Sequence, residues 1–341
     1  MGNWIIRLWK QIATLRKKFQ KEVKSKRYSY LNLIVFCLLF WSVLFSAKAQ
    51  NYEQVAATIQ LYPKKFDNPE QLSKFISRDF TSEEDKVRAI YTWIVNNVAY
   101  EPSEYKKFNY NFKNFRERNQ KEEATRKKII ERTLQKGIAV CEGYAMLFER
   151  LCELQGIKNY LVRGDIKASF NDIGRPFKKN HMWNIATIDG KQYLFDPTWG
   201  AGKYNGKFIK EPTYFYYKTP PKLFFKTHYP ALYEDALIDA VISKEVFANM
   251  PIIIPETLRR EDVEKPLTGV ISSEDDDGII DFQIRNSNPS SISYSFGKEP
   301  IVISEIKKEA NVINFKVPLQ LGVSTLLIYF DDQPALGYKI D

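Results

Sequence analysis

Cysteine and histidine are scarce in this chain: its 341 residues include three cysteines and two histidines. A disulfide scaffold needs many cysteines, and a structural zinc site needs clustered cysteine and histidine ligands. The sequence has neither. The acidic run at 274–278 does not fit an EF-hand loop, because the final glutamate of that loop would fall at position 284, which is Ile284. We therefore expect no metal and no cofactor.

Long apolar runs are also missing, apart from one near the N-terminus. Residues 1–30 are basic, residues 31–45 are almost entirely apolar, and Ala47-Lys48-Ala49 is a small-x-small motif of the kind that signal peptidases cleave. The run is shorter than the roughly 20 residues that a membrane-spanning helix needs. We predict a signal peptide over 1–49, cleavage before Gln50, and an exported protein, periplasmic or secreted. The alternative is a protein anchored in the membrane by residues 31–45.

The net charge of +10 has a local origin. The predicted leader holds ten of the 51 basic residues and one of the 41 acidic residues, which leaves 41 against 40 and a net charge of +1 for the rest. A nucleic-acid-binding protein is expected to carry a basic surface of its own. We therefore predict no nucleic-acid partner, and membrane contact only if the leader is retained.

Outside the leader, the two remaining cysteines are predicted to be free thiols. Residues 141–156 have the pattern of one helix, and Cys141 and Cys152 are eleven positions apart in it. That spacing corresponds to about 16 Å along a helix axis, whereas the Cα atoms of a disulfide lie within about 7 Å. Cys152 lies on an apolar helix face and is interpreted as structural. Cys141 requires another explanation.

The pattern along the chain predicts an α+β domain followed by an all-β domain. Helices are expected after Asn68-Pro69, after Ser82, from about 124 to 134 and over 141–156, with a loop over 101–123. Strands are expected over 160–166, 181–188 and 191–195, and five more follow residue 278. We assign the leader to 1–49, the α+β domain to 50–250, a proline-rich charged linker to 251–266, and a small β-sandwich-like domain to 267–341.

Cys141 stands at the start of its predicted helix. A helix N-terminus carries partial positive charge and free N–H groups, which favour a thiolate and can hold a developing oxyanion. Such a thiol needs a base, and His181 and His228 are the two histidines available. His228 has no carboxylate nearby in sequence.

The hairpin at 181–195 favours His181 as the base. If Asp189-Gly190 is a two-residue turn, Ile188 pairs with Lys191, and Asp196 comes close to His181 on the same face. A carboxylate there can accept the imidazole N–H, fix the tautomer and leave the other nitrogen for the cysteine. The sequence therefore predicts a site of Cys141, His181 and Asp196.

Four segments resemble those of the transglutaminase-like superfamily. The segment 137–145 is similar to the family's nucleophile motif, 180–184 to its His-x-Trp-Asn strand, and 196–200 to its Asp-x-Thr-Trp corner. Upstream, 89–94 with 97–100 resembles the helix that precedes the core in bacterial and animal peptidase-like members. The similarity extends over roughly 65–235 and leaves the C-terminal region uncovered.

The resemblance implies a papain-like fold and acyl transfer through a thioester. Cys141 would be the nucleophile, His181 the general base and acid, and Asp196 the residue that orients the imidazole. We expect a cysteine peptidase or amidase acting on a protein or peptide substrate. Two alternatives stay open: a protein-glutamine transamidase that forms cross-links, and a binding protein that keeps the fold without turnover. Trp93, Trp183 and Trp199 are interpreted as core or wall residues.

Overall fold

The computed structural model describes residues 52–107, 115–272, 278–320 and 322–341. The predicted leader lies outside the described residues. Residues 52–60 are helical, and residues 59–341 form one compact unit. The α-helices within that unit are α1 (Pro69–Asp79), α2 (Glu83–Asn97), α3 (Phe115–Lys136), α4 (Cys141–Leu154), α5 (Pro197–Ala201), α6 (Pro221–Phe224) and α7 (Lys244–Ala248).

The strands fall into an N-terminal and a C-terminal group, and short 3-10 helices connect some of them. The N-terminal strands are β1 (Ala99–Tyr100), β2 (Ile138–Ala139), β3 (Asn159–Ile166), β4 (His181–Ile188), β5 (Lys191–Phe195), β6 (Gly202–Asn205), β7 (Lys207–Lys210), β8 (Tyr217–Thr219) and β9 (His228–Pro230). The C-terminal strands are β10 (Ile252–Ile253), β11 (Val263–Lys265), β12 (Val270–Ile271), β13 (Ile279–Arg285), β14 (Ile292–Ser295), β15 (Ile301–Val302), β16 (Ile306–Glu309), β17 (Val312–Pro318), β18 (Thr325–Phe330) and β19 (Gln333–Ile340). The 3-10 helices are Pro102–Lys107, Phe170–Asp172, Tyr233–Ala236 and Arg260–Asp262.

The N-terminal half is built around an antiparallel sheet of order β8-β5-β4-β3-β9. Helix α4 packs on β3 and β4, and α2 packs against α4 and α5. The amide of Asn184 on β4 donates to the carbonyl of Ala145 on α4 at 3.0 Å, which fixes the sheet against the helix. A cysteine-bearing helix on an antiparallel sheet is the predicted α+β architecture.

The helix starts follow local rules that the sequence predicts. Asn68 caps α1 by accepting from the N–H of Gln71 at 3.0 Å, with Pro69 at the first helical position. Ser82 caps α2 by accepting from the N–H of Asp85 at 3.1 Å. Helix α3 differs from the prediction, because it begins at Phe115 inside the stretch 101–123 that was expected to be a loop. That stretch lacks apolar periodicity but is rich in Glu, Lys, Arg and Gln, which have high intrinsic helix propensity.

The C-terminal strands form a β-sandwich. One sheet has the order β10-β19-β18-β14-β15, with β12 also paired to β19, and the other has the order β11-β13-β17-β16. Their inner faces share one apolar core, in which Phe282 stacks on Phe315 at 4.7 Å and meets Tyr338 of the opposite sheet at 5.5 Å. The five predicted strands correspond to β13, β14, β17, β18 and β19.

The proposed domain boundaries stay predictions. Two short strands lie within the stretch 251–266, and each pairs with a strand of the sandwich, β10 with β19 and β11 with β13. In the described part of the chain, no helix has the length and apolar character needed to cross a membrane.

Gly164 on β3 allows the sheet to close beneath the candidate site. It pairs with His181, the first residue of β4. A Cβ at this position would lie 2.2 Å from the carbonyl oxygen of Tyr229 and 2.4 Å from the indole ring of Trp183. Because these neighbours are backbone and a buried aromatic ring, they have little room to move.

We predict that Gly164→Ala destabilises the protein by about 1–3 kcal/mol, the usual cost of overpacking a well-packed core. The measurement is urea unfolding followed by tryptophan fluorescence. Gly156→Ala is a comparison for backbone strain alone, because Gly156 has a φ of +73° but no atom within 4 Å of the added Cβ. An unfolding free energy of Gly164→Ala equal to that of the wild type would contradict the steric account.

Candidate active site

Cys141 is the first residue of α4 and is only 6 % exposed. The residue before it, Val140, caps the helix without any side-chain hydrogen bond, so no side-chain acceptor at the cap competes for the first-turn N–H groups. Gly143, in the first turn, permits close packing, because a Cβ there would lie 2.6 Å from Ala139 and 2.7 Å from the hydroxyl of Thr133. The thiol therefore stands in the field of an uncapped, tightly packed helix N-terminus.

His181 and Asp196 meet at the end of the β4–β5 hairpin. Ile188 pairs with Lys191 and Asn184 with Phe195, which confirms the predicted two-residue turn and its register. Asp196 follows the last residue of β5, and its Oδ2 lies 2.6 Å from Nε2 of His181. The Cys141 thiol also interacts with His181 and raises the pKa of the imidazole. Since Nε2 is engaged by Asp196, Nδ1 is the ring nitrogen left for the thiol.

The carboxylate of Asp196 is fully buried and accepts further hydrogen bonds. It caps α5, and its Oδ1 accepts from the N–H of Thr198 at 2.8 Å and from the N–H of Trp199 at 3.1 Å. One residue therefore joins the hairpin, the short helix and the imidazole. This double use explains why an Asp-Pro-x-Trp sequence follows β5: the proline begins α5 at its first position, and the Asp caps it.

His228 is the site residue whose partner the sequence analysis missed. It lies on β9, and its Nε2 is 3.0 Å from the same Oδ2 of Asp196 that contacts His181. Strand β9 pairs with β3, on the far side of β4 from β5, so the contact depends on the strand order of the sheet. A local search for a carboxylate near position 228 could not find it, whereas the strand order could.

An aromatic wall surrounds the two imidazoles. The ring of His228 stacks on Phe224 with centroids 4.0 Å apart and meets the edge of Trp199 at 4.7 Å. Trp183 lies 5.2 Å from His228 and 6.1 Å from His181. His181 and His228 are 6 % and 1 % exposed. The site consequently has a low effective dielectric, in which hydrogen bonds and charges interact strongly.

The pKa values of the two histidines shift in opposite directions. Burial lowers the pKa of His181, but the charge of Asp196, its hydrogen bond and the contact with Cys141 outweigh burial and raise that pKa to about 10. Burial lowers the pKa of His228 to about 4, and the hydrogen bond to Asp196 only partly opposes it. Burial raises the pKa of Asp196, but the two histidines reverse this and leave it well below its ordinary value. One ring is therefore cationic and the other neutral beside an ionised carboxylate.

Cys152 lies in α4, fully buried, and both cysteines are free, which confirms the prediction of two free thiols. Burial raises the pKa of the Cys152 thiol far above its ordinary value, so it stays neutral. The potential metal ligands in the described part of the chain are His181, Asp196 and His228, whose ligand atoms lie within 4.8 Å of one another. A cation there would have to replace both histidine hydrogen bonds to Oδ2, and we assign no metal to the site.

Known proteins share the segment that holds these residues. Residues 70–197 match the family described as the transglutaminase-like superfamily. The matched segment is similar to a transglutaminase-like core, and it contains Cys141, His181 and Asp196. His228 and the β-sandwich lie beyond it.

Curated relatives of the transglutaminase-like core are kyphoscoliosis peptidases. The Homo sapiens protein is 29% identical over 190 residues, covering 54% of this chain and 26% of the relative. The Mus musculus protein is 30% identical over 154 residues, covering 44% of this chain and 21% of the relative. The chain thus spans about a quarter of the length of these relatives.

Two solved structures are similar over part of the chain. One is described as a TGase, with 15% identity, coverage of 51% of this chain and 38% of that chain, and a TM-score of 0.27. The other is a cysteine-protease candidate from Cytophaga hutchinsonii, with 21% identity, coverage of 42% of each chain, and a TM-score of 0.26.

The buried neutral state of His228 predicts a pH-dependent contribution to stability. Its folded pKa of about 4 lies below the ordinary histidine value of about 6.5, so between these values the unfolded chain binds a proton that the folded chain does not. The contribution of His228 to the unfolding free energy is therefore present above pH 6.5 and is lost as the pH falls toward 4. The unfolding free energy decreases by up to about 1.4 kcal/mol per pH unit in this range.

The measurement is urea unfolding of the wild type and of His228→Phe, a ring that does not titrate, at steps from pH 7.5 to 4. We expect the difference in unfolding free energy, wild type minus variant, to fall with pH in this window. A difference that stays constant would show that His228 titrates alike in both states.

Proposed function

We propose that the protein is an exported cysteine peptidase or amidase that cleaves peptide or amide bonds through a thioester on Cys141. The observation that carries this proposal is the grouping of three residues: His181 is hydrogen-bonded to the buried Asp196 and interacts with Cys141, whose thiol lies at the uncapped start of α4. A nucleophile bonded to a base, and the base bonded to a buried carboxylate, is the general arrangement for acyl transfer.

In the first half-reaction, the Cys141 thiolate attacks the carbonyl carbon of the scissile bond. The negative charge that forms on the carbonyl oxygen is stabilised by the field of the α4 N-terminus. The C–N bond then breaks, and His181, as the imidazolium, gives its Nδ1 proton to the departing nitrogen. An amine leaves, and the acyl group stays on sulfur as a thioester.

In the second half-reaction, His181 is a neutral base. It takes a proton from water, the hydroxide oxygen bonds to the acyl carbon, and the C–S bond breaks to give a carboxylic acid and the Cys141 thiolate. Asp196 holds Nε2–H throughout and keeps Nδ1 directed at the sulfur. The same thioester could be taken by an amine, which would form an amide and make the protein a transamidase.

Hydrolysis is favoured because the relatives that cover part of this chain are named peptidases. Export is proposed from the basic, apolar and small-x-small pattern of residues 1–49. The substrate is then a protein or peptide outside the cytoplasm.

The test is digestion of a mixed peptide pool in water enriched in ¹⁸O, read by mass spectrometry. Hydrolysis through a thioester predicts new C-termini that carry one ¹⁸O, and Cys141→Ala removes them. We expect Asp196→Asn to retain the fold and to lose most of the activity, because the amide would hold the imidazole in the wrong tautomer. In a catalytic triad, this exchange lowers kcat by about 10⁴-fold.

The same pool with a labelled primary amine separates the alternatives. Label at glutamine side chains, lost in Cys141→Ala, would replace the hydrolytic proposal by transamidation. Products that persist unchanged in Cys141→Ala would rule out the thioester, and no products with any pool would favour a binding protein.

A further inference from the structure

Asp196 accepts hydrogen bonds from two histidines, whereas the proposed acyl transfer requires only one. Its Oδ2 lies 2.6 Å from Nε2 of His181 and 3.0 Å from Nε2 of His228. The ring centroids of the two histidines are 5.5 Å apart. Asp196 supplies one negative charge, so it can neutralise one of the two imidazoles and not both.

The chain also fixes the tautomer of His228. A carboxylate accepts hydrogen bonds and does not donate them, so Nε2 of a neutral His228 must carry the proton it gives to Asp196. Its Nδ1 is then an acceptor, and the hydroxyl of Thr227 lies 2.8 Å from that nitrogen. The same hydroxyl lies 3.3 Å from the carbonyl oxygen of Phe224, but Nδ1 is the closer acceptor for its single proton. The hydroxyl therefore donates to Nδ1, which gives a chain of hydrogen bonds from Thr227 through His228 to Asp196.

The environment of His228 holds the ring in this orientation. Phe224 stacks on one face with an interplanar angle of 27°, and Trp199 and Trp183 meet it edge to face at 4.7 Å and 5.2 Å. The side chain is 0 % exposed, so neither substrate nor water reaches it. This location excludes His228 as a second base and leaves its hydrogen bond to Asp196 as its contribution.

We propose that His228 is a positioning residue: held in the Nε2–H tautomer by Thr227, it fixes the carboxylate of Asp196 so that His181 alone carries charge and faces Cys141. The proposal rests on the proposed function for its catalytic consequence, but its structural content can be tested without a substrate. With the lowered pKa of His228, the ring stays neutral across the working pH range.

The structural arm uses ¹⁵N NMR of the full chain labelled in histidine, whose imidazole signals come from His181 and His228 alone. Comparison with His181→Gln assigns the remaining ring. We expect His228 to show a neutral Nε2–H tautomer that does not change from pH 5 to 8. A Nδ1–H tautomer, or titration near the ordinary value of about 6.5, would overturn the proposal.

Thr227→Val removes the hydroxyl that donates to Nδ1 of His228 and changes the side-chain volume little. Without the hydroxyl, we expect the ¹⁵N shifts of His228 to move toward a mixture of tautomers. Thr219→Val is the matched control, because Thr219 is also buried but its hydroxyl donates to the carbonyl of Phe215. Equal ¹⁵N shifts in the wild type and Thr227→Val would contradict the assigned role of Thr227.

The kinetic arm compares His228→Phe and His228→Gln in peptide hydrolysis. Phenylalanine keeps a ring on Phe224 but removes the donor, and we expect kcat to fall about 10- to 100-fold, the fold-change for losing one hydrogen bond to a charged group, with KM unchanged. Glutamine restores an N–H donor and should recover part of kcat.

Equal losses in His228→Phe and His228→Gln, or a change confined to KM, would show that His228 only packs. Absence of turnover in the wild type would refute the proposed function, and the NMR arm would still decide the assignment of His228.

Discussion

The structure of the candidate site depends on one buried carboxylate. Asp196 accepts four hydrogen bonds, two from the backbone of α5 and two from imidazoles on β4 and β9. An ionised group without solvent is stable only when its lone pairs are satisfied, and here they are. Removal of any one donor would leave a charged oxygen short of a partner, so the hairpin, the short helix and the edge strand constrain one another.

Close packing at two glycines holds the site residues around Asp196 in place. Gly164 lets Trp183 and the backbone of Tyr229 approach beneath His181, and Gly143 lets the first turn of α4 lie against Ala139 and Thr133. Each glycine lacks a side chain at a position where a Cβ would push apart the elements that carry Cys141 or His181. The geometry of the candidate site is thus set by close backbone approach in the core.

Local sequence rules account for much of this site. The Asp189-Gly190 turn defines the register of β4 and β5 and so brings Asp196 to His181, and the helix signal at Cys141 places the thiol at an N-terminus. These features depend on residues close together in the chain, where turn and capping chemistry apply directly. Helix α3 begins at Phe115 and not near residue 124, because the high helix propensity of its charged residues is enough to form a helix without an apolar period. The contact of His228 was missed because it depends on β9 joining β3, a pairing between distant segments that no local pattern encodes.

The central claim is that His181, oriented by Asp196, activates the thiol of Cys141. The most direct measurement is the rate of iodoacetamide labelling of Cys141 against pH in the full chain, followed by peptide mass spectrometry, with His181→Ala alongside. Rapid labelling at neutral pH or below that slows when His181 is removed is the result the account predicts. Labelling that rises only near the ordinary thiol pKa of about 8.5, and that is the same without His181, would contradict it.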